Sequence, residues 1–177
     1  MEEKIFDCFK SARKDEEQNK KHKGLLVTEP SQKNAEYYLD KAQDSIRLCD
    51  VYKNFGFDYK LPEEGYYSLY YCALAILCKF GIESRSQACT ALFMKYAKEK
   101  GLIEYDDEFI KNILVFKEKG VKTFVDEREE ARYGPKIKMD DVKLRYDSML
   151  NLCKKALFQA QDIVFSEKKY EIPKEFF

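Results

Sequence analysis

The sequence predicts an all-α fold, an antiparallel up-and-down four-helix bundle with additional short helices, and three observations support this prediction. Apolar residues recur at three- and four-residue steps along several long segments, which is the periodicity of amphipathic helices. Residues 66–82 are apolar around nearly the whole helical circumference, so a helix there must be buried on all sides. Short connections between these segments favour antiparallel neighbours. No segment shows the alternation of a half-buried strand, so no strand is predicted.

Length, charge and hydropathy limit the classes of function. The 177 residues suffice for one domain, and 32 basic side chains balance 32 acidic ones. Nucleic acid would therefore have to be bound by a local basic patch. The apolar run contains Lys79 and is shorter than the roughly 20 apolar residues of a membrane span, so no membrane is expected. The N-terminus lacks the basic and apolar regions of a signal peptide, which predicts a cytoplasmic protein.

Cysteine and histidine patterns give no metal or cofactor prediction. No two cysteines have CxxC spacing, and all lie in apolar-periodic surroundings, which favours small buried hydrophobes over disulfides or metal ligands. The single histidine, His22, lies in a lysine-rich run and is predicted to be solvated. The six cysteines are Cys8, Cys49, Cys72, Cys78, Cys89 and Cys153.

Residues 1–23 are predicted to form an N-terminal appendage, an amphipathic helix whose second half is highly charged, and residues 24–177 the helical bundle. Ser31 is the predicted N-cap of the first long bundle helix, which ends near residues 55–57. The central apolar helix follows Pro62 and its acidic neighbours and stops at Gly81.

Capping residues divide the second half of the chain. Ser84 is predicted to cap a helix that runs to about Lys100. Two aspartates at 106 and 107 open a helix that Gly120 closes, and a short helix over residues 121–133 precedes a Gly-Pro stop. Asp140 or Asp141 caps the last helix.

The last helix and the tail have more apolar residues than one domain obviously needs. The stripe is longer than the central helix, which predicts that part of it faces a second subunit. The tail beyond Lys169 is expected to dock on its own subunit or on a dimer partner, through Tyr170, Ile172, Phe176 and Phe177. The stripe comprises Val142, Tyr146, Met149, Leu150, Cys153, Ala156, Leu157, Ala160, Ile163 and Val164.

Chemistry is best sought in residues 126–133, because the sequence lacks a P-loop, a dinucleotide fingerprint, HExxH and a Ser/His/Asp set. Arg128 and Arg132 are four residues apart on one helical face, and Tyr133 follows them. Two guanidiniums and a phenol can hold a phosphate or an RNA backbone. The alternative is that these cations only complement the helix dipole.

A second candidate is the run of tyrosines in the central helix. These rings would form a base-stacking platform, or, in the alternative interpretation, part of the core with hydroxyls at its rim. The tyrosines are Tyr66, Tyr67, Tyr70 and Tyr71.

Several of these segments together resemble the HEPN domain family, most closely its archaeal members. The resemblance rests on residues 70–77, the Gly-x-x-Ser turn at 81–84, residues 89–93, the opening at 23–42 and the segment 128–133. It covers roughly residues 22–165. It implies an antiparallel four-helix bundle that usually dimerises around a cleft.

Many HEPN proteins are metal-independent RNases, often toxins restrained by a small nucleotidyltransferase. Their arginine steadies the scissile phosphate, and a histidine about five residues later moves protons. Arg128 matches the arginine, but Tyr133 occupies the histidine position and Gln87 stands where similar proteins often have histidine. A tyrosine, with a reference pKa of about 10, is a poor proton shuttle at neutral pH. Some members have a tyrosine that the partner nucleotidylates, a role Tyr133 could fill.

The resemblance therefore implies a non-catalytic homodimer that binds a nucleotide, an RNA or a minimal nucleotidyltransferase partner, as in a toxin–antitoxin pair. The rival hypothesis is an active metal-independent endoribonuclease that uses Arg128 with Tyr133, or with His22 from the N-terminal segment. No cofactor and no metal ion are expected. The expected ligand-binding residues are Arg128, Arg132, Tyr133, Gln87, Tyr70 and Tyr71.

Overall fold

The computed structural model describes residues 1–114, 123–133 and 139–176, with the backbone alone for residues 133 and 139–143. These ranges are mainly helical, which confirms the predicted class at that level, and a small sheet and two 3-10 turns complete them. The elements are α1 (Glu2–Glu17), β1 (Leu25–Val27), α2 (Gln32–Asn54), α3 (Leu61–Lys79), β2 (Ile82–Ser84), α4 (Gln87–Glu99), α5 (Asp107–Ile113), α6 (Phe124–Tyr133) and α7 (Met139–Phe165), with 3-10 turns at Asp58–Lys60 and Lys174–Phe176.

Helix α3 lies at the centre of the fold, as the apolar run predicts. It packs against α2, α4, α5, α6 and α7. From Leu61 to Leu77 all its residues are buried except five half-buried ones, Glu63, Glu64, Tyr67, Tyr70 and Tyr71. The helix begins at Leu61, before the apolar run. Pro62 fits in the first turn, because the N–H that proline lacks would have no partner inside the helix there. Beyond its end, Gly81 has a φ of 71°, a conformation that favours glycine.

Helices α2 and α3 form an antiparallel pair. The Ser31 N–H donates to the Cys78 carbonyl at 3.2 Å, so the start of α2 lies beside the end of α3. Further along, the rings of Tyr38 and Tyr71 stack with centroids 6.3 Å apart. Ser31 is the N-cap, as predicted, and its Oγ accepts from the Asn34 N–H at 3.2 Å.

The prediction that the chain contains no strand is wrong. Strands β1 and β2 pair antiparallel, with Leu25 opposite Ser84 and Val27 opposite Ile82. Three-residue strands are too short to produce a recognisable alternation. Since Ser84 lies in β2, the N-cap of α4 is Ser86, two residues later than predicted, and its Oγ accepts from the Cys89 N–H at 3.3 Å.

The later helix boundaries agree only partly with the prediction. Helix α5 ends at Ile113, and the predicted stop at Gly120 lies outside the described residues, as does the predicted start of the next helix at Val121. Helix α6 covers residues 124–133, and α7 begins at Met139, before either of its predicted caps, Asp140 and Asp141, which lie inside its first turn.

The apolar stripe of α7 is covered by its own chain. All its side chains that the structure describes, from Tyr146 to Val164, are buried. For these residues the expectation that part of the stripe faces a second subunit is therefore wrong, because their own chain buries them, and the side chain of Val142 lies outside the described residues. Among its described residues, the large apolar side chains that α7 exposes are Leu144, Phe158 and Phe165, which lie on the opposite face.

The N-terminal helix and the C-terminal tail pack on each other. Phe9 of α1 is buried, and its ring stacks on that of Phe176 at 5.6 Å. Tyr170 packs on the Phe80 ring at 5.1 Å. The tail therefore docks on its own subunit, as one of the two predicted possibilities, although Phe177 lies outside the described residues. Residues 1–23 share one hydrophobic core with the remainder of the chain.

Two cysteines contradict the interpretation of all six as buried hydrophobes. Cys8 of α1 and Cys89 of α4 form a disulfide that closes a separation of 81 residues, with Cα atoms 6.0 Å apart. No CxxC spacing signals this pair, because tertiary packing of α1 on α4 brings the two together. The other four cysteines are free thiols.

His22 is buried, and its predicted solvation is wrong. Its lysine neighbours point outward, but the imidazole is only 2% exposed and its Nε2 lies 3.1 Å from Glu83 Oε1 on β2. Hydrogen bonds from His22 and from Arg85 outweigh the effect of burial and lower the pKa of the Glu83 carboxyl. The contact fastens the segment before β1 to the edge of β2.

No helix in the described ranges is long and apolar enough to cross a membrane.

Candidate functional site

Three helices converge on Arg128, the residue that the sequence singles out. Helix α6 packs against α3, and the Arg128 guanidinium carbon lies 4.3 Å from the centroid of the Tyr66 ring. A guanidinium over an aromatic face is held by the ring quadrupole. Helix α4 approaches with its first residue, Gln87, whose Oε1 is 3.5 Å from Arg128 Nη1.

The guanidinium of Arg128 has few partners of its own. The Gln87 contact is at the long limit of a hydrogen bond. The Nε of Arg128 is buried and has no hydrogen-bond partner in the part of the chain that the structure describes. Among the described residues no carboxylate forms an ion pair with Arg128, so its charge is compensated by the Tyr66 ring and the Gln87 amide oxygen alone.

Tyr66 adds a second unpartnered polar group beside this arginine. Its side chain is fully buried, and its hydroxyl has no hydrogen-bond partner within the described part of the chain. Burial raises the pKa of the phenol, an effect that the charge of Arg128 and the closeness of its guanidinium to the phenol oxygen only partly oppose, although the two groups do not meet the geometry of a hydrogen bond. The ring therefore stays neutral at physiological pH. Because buried polar atoms in native proteins nearly always have partners, Arg128 Nε and Tyr66 Oη together mark a place for a polar ligand or ordered water.

The other tyrosines of α3 extend from Tyr66 toward the surface. Tyr70 stacks on Tyr66 at 5.9 Å, and Tyr67 stacks on Tyr71 at 5.8 Å. Tyr67, Tyr70 and Tyr71 are half-buried, so the cluster has its base in the core and its rim in solvent. Burial also raises the pKa values of the Tyr70 and Tyr71 phenols. The buried base and half-buried rim agree with the interpretation of these rings as part of the core, and the base-stacking platform stays a prediction.

Lysine and tyrosine side chains from α2 continue the rim. The ring of Tyr38 stacks on Tyr71, and Lys41 Nζ lies 4.7 Å from the Tyr37 centroid and 5.5 Å from the Tyr71 centroid. This places a second cation within reach of the same group of rings.

Arg132 is directed elsewhere than Arg128. One turn further along α6, its Nη1 lies 3.9 Å from Glu63 Oε1, in the first turn of α3. Glu63 also accepts from Lys60 Nζ at 3.1 Å. The two arginines therefore share a helix, but Arg132 faces a carboxylate where Arg128 faces tyrosines. The predicted third member, Tyr133, ends α6, and its side chain lies outside the described residues.

Hydroxyl groups that the sequence analysis did not assign to the site hold Gln87 in place. The Oγ atoms of Ser84 and Thr90 are 2.7 Å apart, and the Thr90 hydroxyl lies 2.9 Å from the Ser86 carbonyl. With the Ser86 cap they fix the first turn of α4. The usable signal was the serine three residues before Cys89, a spacing typical of an N-cap.

No protein-family model matches the chain, and no curated protein matches it. The HEPN resemblance stays a prediction based on residue pattern. Within the described ranges, no three His, Cys, Asp or Glu side chains gather where they could hold a metal ion.

Proposed function

We propose that the protein binds a phosphate-bearing ligand, a nucleotide or an RNA, at Arg128, without catalysing its cleavage. The observation that carries this proposal is the guanidinium itself, half-buried, unpaired with any described carboxylate, and with a buried Nε that lacks a partner. Guanidinium groups bind phosphate oxygens through paired, charge-assisted hydrogen bonds. A buried Nε–H without a hydrogen-bond partner among the described residues carries a desolvation cost, which a bound anion would offset.

The surroundings of Arg128 suit a nucleotide better than a simple anion. Tyr66 supports one face of the guanidinium and Gln87 accepts from one edge, which leaves Nε and the remaining N–H groups for phosphate. The half-buried rings of Tyr70 and Tyr71 stand next along α3, where a base can stack. Lys41 supplies additional positive charge at the far side of the rim.

Proton-transfer chemistry has weak candidates at this site. Burial raises the pKa values of the Tyr66 and Tyr70 phenols, which makes them poorer proton shuttles at neutral pH. The one histidine, His22, is buried, and its Nε2 contacts Glu83. The rival proposal, an active RNase, needs Arg128 to act with one of these groups or with Tyr133.

The proposal also includes a four-helix bundle architecture, a homodimer and a protein partner. The antiparallel pairing of α2 with α3 supports an antiparallel four-helix bundle. A homodimer with the Arg128 sites at its cleft, a minimal nucleotidyltransferase partner and a cytoplasmic toxin–antitoxin role are supported by the HEPN resemblance. Light scattering at micromolar concentration tests the dimer, and a strict monomer would remove the cleft from the proposal.

Binding of a fluorescein-labelled single-stranded RNA and of a nucleoside diphosphate tests the function. Arg128→Ala removes a charge-assisted contact of about 1.5–3 kcal/mol, so Kd should rise by about tenfold or more. Arg47→Ala is the matched control, because Arg47 is exposed on α2 and pairs only weakly with Asp44. Equal Kd values for wild type and Arg128→Ala, with both proteins folded by circular dichroism, would refute the proposal.

Incubation of the protein with mixed RNA in a metal chelator separates the rival function. RNA that remains intact refutes the RNase. Cleavage that disappears in Arg128→Ala and persists in Arg47→Ala would establish the RNase in place of simple binding.

A further inference from the structure

The Cys8–Cys89 disulfide joins α1 to the first turn of α4, which also contains Gln87 of the candidate site. Its α4 half, Cys89, donates its backbone N–H to Ser86 Oγ, the hydrogen bond that caps the helix. Gln87, which accepts from Arg128, lies between this cap and Cys89. Any change at the disulfide therefore acts on the same helical turn that positions Gln87.

The other half of the disulfide belongs to α1, whose remaining contacts are noncovalent. Phe9 and Ile5 are buried in the core. The polar contacts of α1 include an exposed ion pair between Glu2 and Lys100 at 2.8 Å, a hydrogen bond from Arg13 to the Phe176 carbonyl at 3.4 Å, and one from the Lys23 N–H to Asp15 at 3.1 Å. Cys8 thus provides the covalent bond that holds α1 on the first turn of α4.

The free thiols do not compete with this pair for exchange. Burial raises the pKa of Cys72 and of Cys153 to about 12 and that of Cys78 to about 11, so these thiols stay protonated at neutral pH. Thiol–disulfide exchange needs the thiolate. Cys8 and Cys89 are 8% and 9% exposed, whereas Cys49, Cys72 and Cys153 are 1% exposed or less, so the disulfide-bonded residues lie nearer the surface than these three thiols.

We propose that the Cys8–Cys89 disulfide is a redox latch on the phosphate site. In the oxidised protein the bond holds α1 against the first turn of α4 and keeps Gln87 beside Arg128. In the reduced protein α1 leaves α4 more often, the turn loosens, and the ligand binds less tightly. The part of this proposal that concerns ligand affinity rests on the proposed function.

The electron donor is a dithiol protein of the thioredoxin class. Its thiolate attacks one sulfur of the Cys8–Cys89 bond and forms a mixed disulfide, and the displaced cysteine leaves as a thiolate and takes up a proton. The second thiol of the donor, as its thiolate, then displaces the other cysteine, which is also protonated. Two electrons pass to the latch, both cysteines become thiols, and the donor leaves as a disulfide.

The redox state is measured by alkylation and mass spectrometry after denaturation. Six cysteines less the two in the disulfide leave four alkylated thiols in the oxidised protein and six in the reduced protein. Hydrogen exchange then compares the two states without any ligand. Amides of α1 and of residues 86–90 should exchange at least tenfold faster on reduction, whereas amides of α7 should change less, and reoxidation should restore them.

Cys8→Ser should reproduce the reduced state under oxidising conditions, and Cys78→Ser, which changes a free and half-buried thiol, should still respond to reduction like wild type. In the oxidised wild type the labelled RNA should bind at least tenfold more tightly than in the reduced one. Unchanged exchange of α1 and of residues 86–90 on reduction overturns the latch.

Faster exchange on reduction together with an unchanged RNA affinity overturns the coupling between the disulfide and the Arg128 site. If RNA binds in neither state, the proposed function fails, and the exchange of the Gln87 turn alone then decides whether the latch exists.

Discussion

Replacement of Phe176 by alanine tests whether the tail is part of the core. Phe176 is 1% exposed, and its ring stacks on Phe9 at 5.6 Å and meets Tyr96 edge to face at 5.0 Å. Burying the side chain contributes about 1.5–3 kcal/mol, and each aromatic contact adds about 0.5–1.5 kcal/mol. Released tail residues regain conformational entropy, which limits the loss. We expect the free energy of unfolding to fall by about 2–4 kcal/mol.

The loss corresponds to a drop in Tm of about 5–15 °C for a chain of this size. Thermal unfolding followed by circular dichroism measures it under oxidising conditions, so that the disulfide stays intact. Phe158→Ala is the matched control, because the same atoms are removed from a ring that is 64% exposed on α7, and its effect should stay within about 0.5 kcal/mol. Truncation after Lys169 should destabilise the protein about as much as Phe176→Ala. Equal stabilities for the Phe176 and Phe158 variants would refute the docking.

Three further predictions concern stability. Reduction of the Cys8–Cys89 disulfide opens a loop that spans 81 residues in the unfolded chain, so the free energy of unfolding, measured in urea, should fall by about 4–5 kcal/mol. A fall of less than about 1 kcal/mol would contradict this prediction. Gly81→Ala should lower the melting temperature more than Gly56→Ala. Both glycines have a positive φ, but only at Gly81 would an added Cβ approach a backbone oxygen, that of Thr28, at 2.5 Å. Equal melting temperatures for the two variants would refute this. The pKa of Glu83 is lower in the folded state, so its contribution to stability is present above its unfolded pKa of about 4.3 and is lost as pH falls through the folded value. The free energy of unfolding of Glu83→Gln should therefore depend less on pH in this range than that of wild type. The same pH dependence in both proteins would contradict the expectation.

Local signals in the sequence predicted the helical architecture. The Ser31 cap, the stop at Gly81 and the buried central helix depend on neighbouring residues, and the structure has all three. The features that were missed depend on distant residues. β1 pairs with β2 across more than fifty residues, Cys8 meets Cys89 across 81, and the burial of His22 depends on a carboxylate in β2.

The candidate site was predictable in the same limited way. Helical spacing marked Arg128 but could not separate it from Arg132, because the difference depends on whether α3 presents Tyr66 or Glu63 to each guanidinium. Gln87 came from the family resemblance and not from periodicity. That its amide meets Arg128 depends on the packing of α4 and α6 around α3, which no local pattern contains.

The most direct test of the account observes the Arg128 side chain during ligand addition. The arginine Nε–H resonances of ¹⁵N-labelled protein are recorded while a nucleoside diphosphate is titrated, and Arg128→Lys identifies the Arg128 signal by its loss. Because Nε is buried and has no partner in the described structure, a bound phosphate should shift this resonance saturably and leave that of exposed Arg47 in place. An Arg128 resonance that does not move at ligand concentrations that saturate the protein would contradict the proposal that this guanidinium binds phosphate.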